Sequence, residues 1–224
     1  TAIDAGATLL IDTEGPTITG ISVNPSAPIK VDAGHEVVAT FTLNEALKPG
    51  ALPQIRWQLS GAGRTPVAVS GLTKVDTLVW RGNVSLPSDA GQETAETLSF
   101  LYVGSDDLDN SSTRITAVNR FEVYQGTLPP LGVPGAFSAK AQPGGKIALS
   151  WQAVADAAAY QIYRQQPGES EFVPYQRVTG ASYIDQTTQD GTHRYTVASI
   201  RSVNGQEALS AQSSIAEAIA CASA

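Results

Sequence analysis

Residues 106–110 place three aspartates and one asparagine within five positions, and here the sequence offers its clearest metal chemistry. The four residues are Asp106, Asp107, Asp109 and Asn110. Two further carboxylates, Asp12 and Glu14, lie near the start of the sequence. Calcium binds about six to eight oxygens from carboxylates, amides, backbone carbonyls and water. If the two segments meet in the fold, these six residues form a candidate calcium site.

The spacing within 106–110 is not that of an EF-hand loop, whose ligands recur at alternate positions. A turn rich in Asp and Asn also stabilises its own backbone, because these side chains accept hydrogen bonds from nearby N–H groups. The sequence therefore leaves two interpretations open, a calcium site and a solvated turn.

A second candidate site consists of aromatic residues in the second half of the chain. If Tyr160 and Ile162 face the core, strand alternation turns Tyr163 outward, and Phe172 and Tyr175 lie on the next predicted strand or its edge. Exposed aromatic rings stack on sugars or anchor protein partners. Scattered exposed aromatic residues are also a normal covering of a sheet, and this alternative stays open.

The residues needed for catalysis are sparse. The two histidines, His35 and His193, fall in different predicted domains, and each is expected at an exposed turn or strand end. The single cysteine, Cys221, excludes a disulfide within the chain and a cysteine-based metal site. No nucleophile motif, phosphate-binding loop or dinucleotide fingerprint is present. We therefore predict that the chain has no catalytic activity of its own.

Composition narrows the partners further. The chain has 14 basic and 21 acidic residues among 224, a net charge of −7. Such a chain has little with which to neutralise a phosphate backbone, so we expect no nucleic-acid binding. The sequence contains no apolar run of about 18 residues, and we expect no membrane insertion.

Apolar and polar residues alternate along most of the chain, which predicts an all-β protein. In 36–43, for example, Val37 and Phe41 fall on one face and Thr40 on the other. The predicted strands of the first half are 17–24, 36–43, 54–59, 65–69, 77–86, 95–103 and 116–124. Those of the second half are 136–141, 146–152, 159–164, 173–178, 182–185, 193–203 and 207–213. Seven short strands in each half favour two tandem β-sandwich domains.

Proline-containing junctions set the predicted domain boundaries. Residues 12–126 form the first sandwich and 136–215 the second, joined by a stiff linker at 127–135 whose prolines fix the backbone. A pattern shared by 1–16 and 106–130 indicates that 1–11 is the last strand of a preceding domain or disordered. The Ala-rich residues 216–224 are expected to be a tail.

The second half resembles a fibronectin type III domain of the kind found in bacterial extracellular proteins. The resemblance covers about residues 134–215 and depends on the segments 147–151, 159–164, 183–185 and 190–197. It implies that Trp151 is a core tryptophan and that Tyr160 and Ile162 pack inward. It also implies that Tyr195 is a corner tyrosine whose hydroxyl ties the chain back on itself.

The first half, about 12–126, resembles more loosely the bacterial immunoglobulin-like domains of large surface proteins. The matching segments are 12–18, 41–45 and 105–110. In such domains the last of these turns often reads Asp-x-x-Gly-Asn, and here Asp109 replaces the glycine. Aspartate tolerates the left-handed backbone better than most residues.

These features lead us to expect a non-catalytic structural or adhesive spacer of a larger bacterial protein, located at the cell surface or outside the cell. Its expected partners are neighbouring domains of the same polypeptide and, where it is adhesive, a carbohydrate or protein surface. The alternative is an accessory, substrate-contacting region of a secreted enzyme that degrades polysaccharide or protein. Fold alone does not distinguish the two.

Overall fold

The computed structural model describes residues 11–221, so all but one residue of the predicted segment 1–11 lies outside the described residues. The chain is all-β and divides into two compact units. The first unit ends at Gly126 and the second begins at Thr127. A single turn of 3-10 helix, Val31–Ala33, interrupts the strands of the described residues.

From residue 11 onward, the first unit contains ten strands in two sheets. They are β1 Ile18–Asn24, β2 Ile29–Lys30, β3 Glu36–Leu43, β4 Gln54–Leu59, β5 Val67–Ala68, β6 Ser70–Asp76, β7 Val79–Ser85, β8 Glu96–Ser105, β9 Ser111–Ser112 and β10 Phe121–Tyr124. One sheet has the order β1-β3-β7-β6, and the other has the order β2-β10-β8-β4-β5 with β9 beside β8. The named pairs are antiparallel except β2 with β10.

Residue alternation explains how these sheets enclose a core. Phe41 and its neighbours at every second position of β3 are buried, as the sequence predicts. The Phe41 ring meets Phe100 of β8 edge to face, with ring centres 5.0 Å apart, and Phe100 meets Phe121 of β10 at 6.0 Å. Aromatic pairs in this geometry stabilise a core beyond the area that they bury.

Up to residue 221, where the described part of the chain ends, the second unit contains eight strands, again in two sheets. They are β11 Ser138–Gln142, β12 Lys146–Ser150, β13 Ala159–Gln165, β14 Val173–Val178, β15 Ser182–Gln186, β16 Gly191–Val203, β17 Gln206–Leu209 and β18 Ala216–Ala220. The small sheet has the order β11-β12-β15, and the large one has the order β14-β13-β16-β17 with β18 beside β16. Trp151, Tyr160 and Ile162 are buried, which confirms their predicted places in the core.

Four observed strands were not predicted, namely β2, β6, β9 and β18, and β2 and β9 have only two residues each. The predicted tail at 216–224 is wrong for its first residues, because Ala216–Ala220 pair as β18 with the first half of β16. A long neighbouring strand offers unpaired backbone groups, and these decide the conformation of an Ala-rich segment. Strand β6 was not predicted at all, since it is an exposed edge strand without alternation.

The proline-rich segment 127–135 belongs to the second unit, and hydrogen bonds join it to the strands of that unit. The carbonyl of Pro129 accepts a hydrogen bond from Arg201, that of Gly132 from the Ser199 hydroxyl, and that of Gly135 from the Gln152 N–H. Within residues 11–221, no helix has the length and apolarity needed to cross a membrane.

Candidate functional site

The candidate site of the first unit begins where β8 ends. The carboxylate of Asp106 is buried and accepts hydrogen bonds from the N–H groups of Leu108 at 2.9 Å and Asn110 at 2.8 Å. Its other oxygen accepts from the Asn110 side-chain amide at 2.8 Å. Asp109 has a φ of 67°, the left-handed conformation that a glycine would adopt with less strain. Asp106 therefore holds the turn in shape.

The segment that leads into β1, residues 12–17, lies against this turn. The Asn110 amide also donates to the backbone carbonyl of Asp12, at 3.2 Å. A Cβ at Gly15 would come within 2.5 Å of the Asn110 carbonyl oxygen, so only glycine allows this approach. The two distant segments named in the sequence analysis therefore do meet.

A third carboxylate, from Glu45, completes the group. One ligand oxygen from each of Asp12, Glu45 and Asp106 lies within 4.8 Å of the others. Glu45 follows β3, and the neighbouring Asn44 fixes this corner because its side-chain oxygen accepts the Thr17 N–H at 2.7 Å. We name Asp12, Glu45 and Asp106 the carboxylate triad. Sequence reasoning missed Glu45, although it lies in one of the segments that carry the resemblance.

The pKa values of the carboxylates in the triad are shifted in different directions. Partial burial raises the pKa of Glu45 above its ordinary value, and the negative charges of Asp12 and Asp106 add to the rise. Burial would also raise the pKa of Asp106, but hydrogen bonds from Asn110 and Leu108 outweigh it and lower the pKa. The repulsion within the triad therefore acts on Glu45, whose pKa it raises.

The remaining predicted calcium ligands lie outside the triad. Asp107 and Glu14 are exposed, and the Asp109 carboxylate pairs with the Lys48 ammonium. Asn110 uses its amide nitrogen to join the two segments. Of the six predicted residues, Asp12 and Asp106 supply carboxylates to the group that the fold assembles.

The predicted aromatic surface of the second unit does not form as expected. Tyr163 lies half-buried on the outer face of β13, and Phe172 is also half-buried. The prediction is wrong for Tyr175, whose ring packs against the core and Tyr183 and whose hydroxyl donates to Asp185 at 2.6 Å. An irregularity in the pairing of β13 with β14, between Ile162 and Tyr163, changes the strand register.

Asp185 of β15 is a fully buried acid in the second unit. Besides Tyr175, the Tyr195 hydroxyl donates to it at 2.7 Å and Nη1 of Arg164 at 3.1 Å. Burial, together with the Asp185 carboxylate, raises the pKa of both tyrosines. Asp185 therefore joins β15 to β13, β14 and β16. Tyr195 ties the chain back as predicted, through this carboxylate.

The two histidines differ from each other. His35 is exposed, as predicted. His193 was also expected to be exposed, and this is wrong, because only 1% of its surface is accessible and its Nε2 lies 2.9 Å from the Gln189 carbonyl oxygen. Strand β16 is buried along most of its length, which the alternation rule for a half-exposed strand does not anticipate.

No family model matches the sequence, and no curated protein matches it. Solved structures give weak likenesses. A Fn3-like protein from Clostridium thermocellum is 23% identical, with a TM-score of 0.34, over 40% of this chain and 92% of that one. The chicken CNTN1 FN1-FN3 domains are 14% identical, with a TM-score of 0.35, over 93% and 69%. Domains A168-A170 of titin are 12% identical, with a TM-score of 0.38, over 89% and 65%. The chain's own sheets and cores define two β-sandwich units.

Proposed function

We propose that this chain is a non-catalytic spacer segment of a larger bacterial cell-surface or extracellular protein, with a calcium ion at the carboxylate triad. In this proposal the first unit is an immunoglobulin-like domain and the second a bacterial-type fibronectin type III domain. The neighbouring domains of the same polypeptide are its partners. The observation that carries the proposal is the meeting of the leading segment, the corner after β3 and the turn after β8 at three carboxylates.

Calcium suits this group for a physical reason. Three carboxylates this close repel one another, and a divalent cation converts the repulsion into attraction. Backbone carbonyls and water would complete a shell of about six to eight oxygens. An ion there would bind the leading segment to the body of the sandwich.

Thermal unfolding of the whole chain tests the calcium site. When free calcium is about a hundredfold above its dissociation constant, we expect the first unit to gain about 2.7 kcal/mol over the same protein in chelator. Glu45→Gln should abolish most of this gain and should raise the stability in chelator, because it removes the repulsion. Asp107→Asn is the matched control, since this exposed acid lies in the same turn outside the triad, and it should keep the gain.

Equal stability of the wild-type protein in calcium and in chelator would contradict the calcium site.

The non-catalytic role is tested separately, by assaying the purified chain on glycoside, ester and peptide substrates. We expect no turnover. Turnover that a single Asp or Glu substitution abolishes would contradict it.

The alternative is an accessory, substrate-contacting region of a secreted enzyme that degrades polysaccharide or protein, and such a region would need a surface for its substrate. The aromatic candidate for a sugar surface consists of Tyr163, Phe172 and Tyr175, and Asp185 holds Tyr175 inward. Flat sugar-binding surfaces need exposed rings on one face. We therefore favour the spacer.

A further inference from the structure

Strand β15, Ser182–Gln186, lies at an edge of the small sheet of the second unit. In the described part of the chain it pairs only with β12, over all five of its residues and without an irregularity. The Ile184 side chain at its centre is 57% exposed. One side of this strand therefore presents unpaired backbone together with an exposed apolar side chain.

Two hydrogen bonds at the ends of the ladder show which backbone groups of β15 point away from β12. The Trp151 N–H donates to the Ala181 carbonyl at 3.1 Å. The Thr187 N–H donates to the Gly145 carbonyl at 2.8 Å. In an antiparallel ladder such bonds lie just outside non-hydrogen-bonded pairs, and the two kinds of pair alternate. The N–H and C=O groups of every second residue of β15 therefore point outward, and these residues are Ser182, Ile184 and Gln186.

Other sheet edges of the chain are interrupted in ways that β15 is not. Strand β6 carries Lys74 and pairs irregularly with β7. Strand β14 carries Pro174, which has no N–H, and pairs irregularly with β13. Lysine, proline and bulges are the features with which proteins protect an edge from a further strand. None of them occurs within Ser182–Gln186, so this edge is suited to pairing.

The charge of the edge suits a second copy of the chain. The chain has a net charge of −7, so two copies repel each other unless their contact is free of unpaired charge. The acid of β15, Asp185, is fully buried and paired with Arg164. The side chains on the exposed face of β15 are neutral, namely those of Ser182, Ile184 and Gln186.

We propose that two copies of the chain associate through β15, antiparallel about a two-fold axis at Ile184. Ile184 then lies opposite Ile184 of the second copy, and Ser182 lies opposite Gln186 of the second copy. Residues paired in this way exchange two backbone hydrogen bonds, and the opposed isoleucines form an apolar cross-strand pair. Moving the axis by one residue would leave one of the three outward residues unpaired. The interface goes beyond the spacer role and does not depend on the calcium site.

Sedimentation equilibrium of the whole chain over a range of concentrations tests the proposal. We expect a reversible, weak dimer, because a short edge gives a small interface. Ile184→Pro should weaken the association about tenfold or more, since it removes one backbone donor from each copy. The fold should persist, because this N–H does not bond to β12 and proline is tolerated at such an edge position.

Charged variants separate the interface from any effect on folding. Ile184→Lys places like charges opposite each other and should leave the chain monomeric, and Ile184→Glu should do the same. An equimolar mixture of the two variants should dimerise, because the opposed charges then attract. Ile215→Lys is the matched control, at an isoleucine of the same unit that is 58% exposed and outside the strands, and it should dimerise as the wild type does.

Hydrogen exchange locates the contact within β15. Raising the concentration should protect the amides of Ser182, Ile184 and Gln186, while those of Tyr183 and Asp185, which bond to β12 in either state, should change little. A wild-type chain that stays monomeric would overturn the proposal, and a β15 that then pairs with an added extended peptide would be a site for a foreign strand. Dimerisation that Ile184→Lys leaves unchanged, or protection confined to another strand, would also overturn it.

Discussion

Each unit contains a buried aspartate, Asp106 in the first and Asp185 in the second. The groups that surround the two carboxylates differ. In the second unit, Asp185 receives two tyrosine hydroxyls and a guanidinium from three other strands. In the first unit, among the described residues, Asp106 receives hydrogen bonds only from its own turn, and two further carboxylates lie close to it. The first arrangement is complete without a ligand, while the second concentrates like charge.

This difference shows that acidity alone does not reveal a cation site. A buried carboxylate with enough donors is a structural crosslink, because the interior strengthens each of its hydrogen bonds. A group of carboxylates with too few donors stores repulsion that a cation relieves. We therefore expect the number of donors per carboxylate to distinguish a crosslink from a cation site in this protein.

The largest effect is expected for Asp185→Asn. The substitution leaves the Arg164 charge without its partner, and breaking a buried ion pair costs about 3–5 kcal/mol. Hydrogen exchange, which reports on each unit separately, should show the loss in the second unit while the first is unchanged. Glu171→Gln, at an exposed acid of the same unit, is the control. A loss no larger than that of the control would contradict the crosslink.

A smaller effect is expected for Tyr195→Phe, which removes one donor to Asp185 and keeps the ring in the core. Loss of one hydrogen bond to a charged group should cost about 1.5–3 kcal/mol of unfolding free energy. Tyr163→Phe, at a half-buried tyrosine on the outer face, should cost little. Urea unfolding of both variants measures the difference. Equal losses of unfolding free energy would show that the Tyr195 hydroxyl stabilises the unit no more than the Tyr163 hydroxyl does.

Two glutamates of the first unit, Glu45 and Glu96, should change its stability in opposite directions as the pH changes. The folded-state pKa of Glu45 is raised from 4.5, so its stabilising contribution is present below that pH and is lost as the pH rises through the raised value. For Glu96, burial raises the pKa, but the Arg64 guanidinium and the Gly91 N–H reverse this and lower it below 4.5. Its contribution is present above 4.5 and is lost as the pH falls through the lowered value.

In chelator, Glu45→Gln should therefore gain stability relative to the wild type as the pH rises from about 4 to 7, because it escapes the repulsion. Glu96→Gln should lose stability relative to the wild type over the same change. Denaturant unfolding at a series of pH values measures both trends. The same trend in both variants would contradict the assignment of repulsion to Glu45.

The smallest effect is expected for Asp107→Asn. Asp107 is exposed and outside the triad, and surface substitutions of this kind usually change the unfolding free energy by less than about 0.5 kcal/mol. Calorimetry of the variant in chelator checks this. A larger change would show that the acidic turn acts as a whole rather than through Asp106.

Much of the fold was predictable from local pattern. Each predicted strand overlaps an observed one, because alternation on a half-buried sheet is recorded in neighbouring residues. The pattern failed at β6, which is exposed on both faces, and at β18, whose conformation depends on an open stretch of β16. It also failed at the two-residue strands β2 and β9. The meeting of Asp12 with the turn after β8 was inferred as a condition of the calcium site, and the fold meets that condition.

The sequence by itself determined most of the strands, the two sandwiches and the buried positions of Trp151, Tyr160 and Ile162, since these follow from side-chain polarity along a short stretch of chain. Only the tertiary structure decided that Glu45 joins Asp12 and Asp106, that Tyr175 turns inward and that His193 is buried. These outcomes depend on residues far apart in sequence, on a strand irregularity and on how many donors reach each acid. None of these is recorded in the order of residues within one segment, because they arise when separate strands pack together.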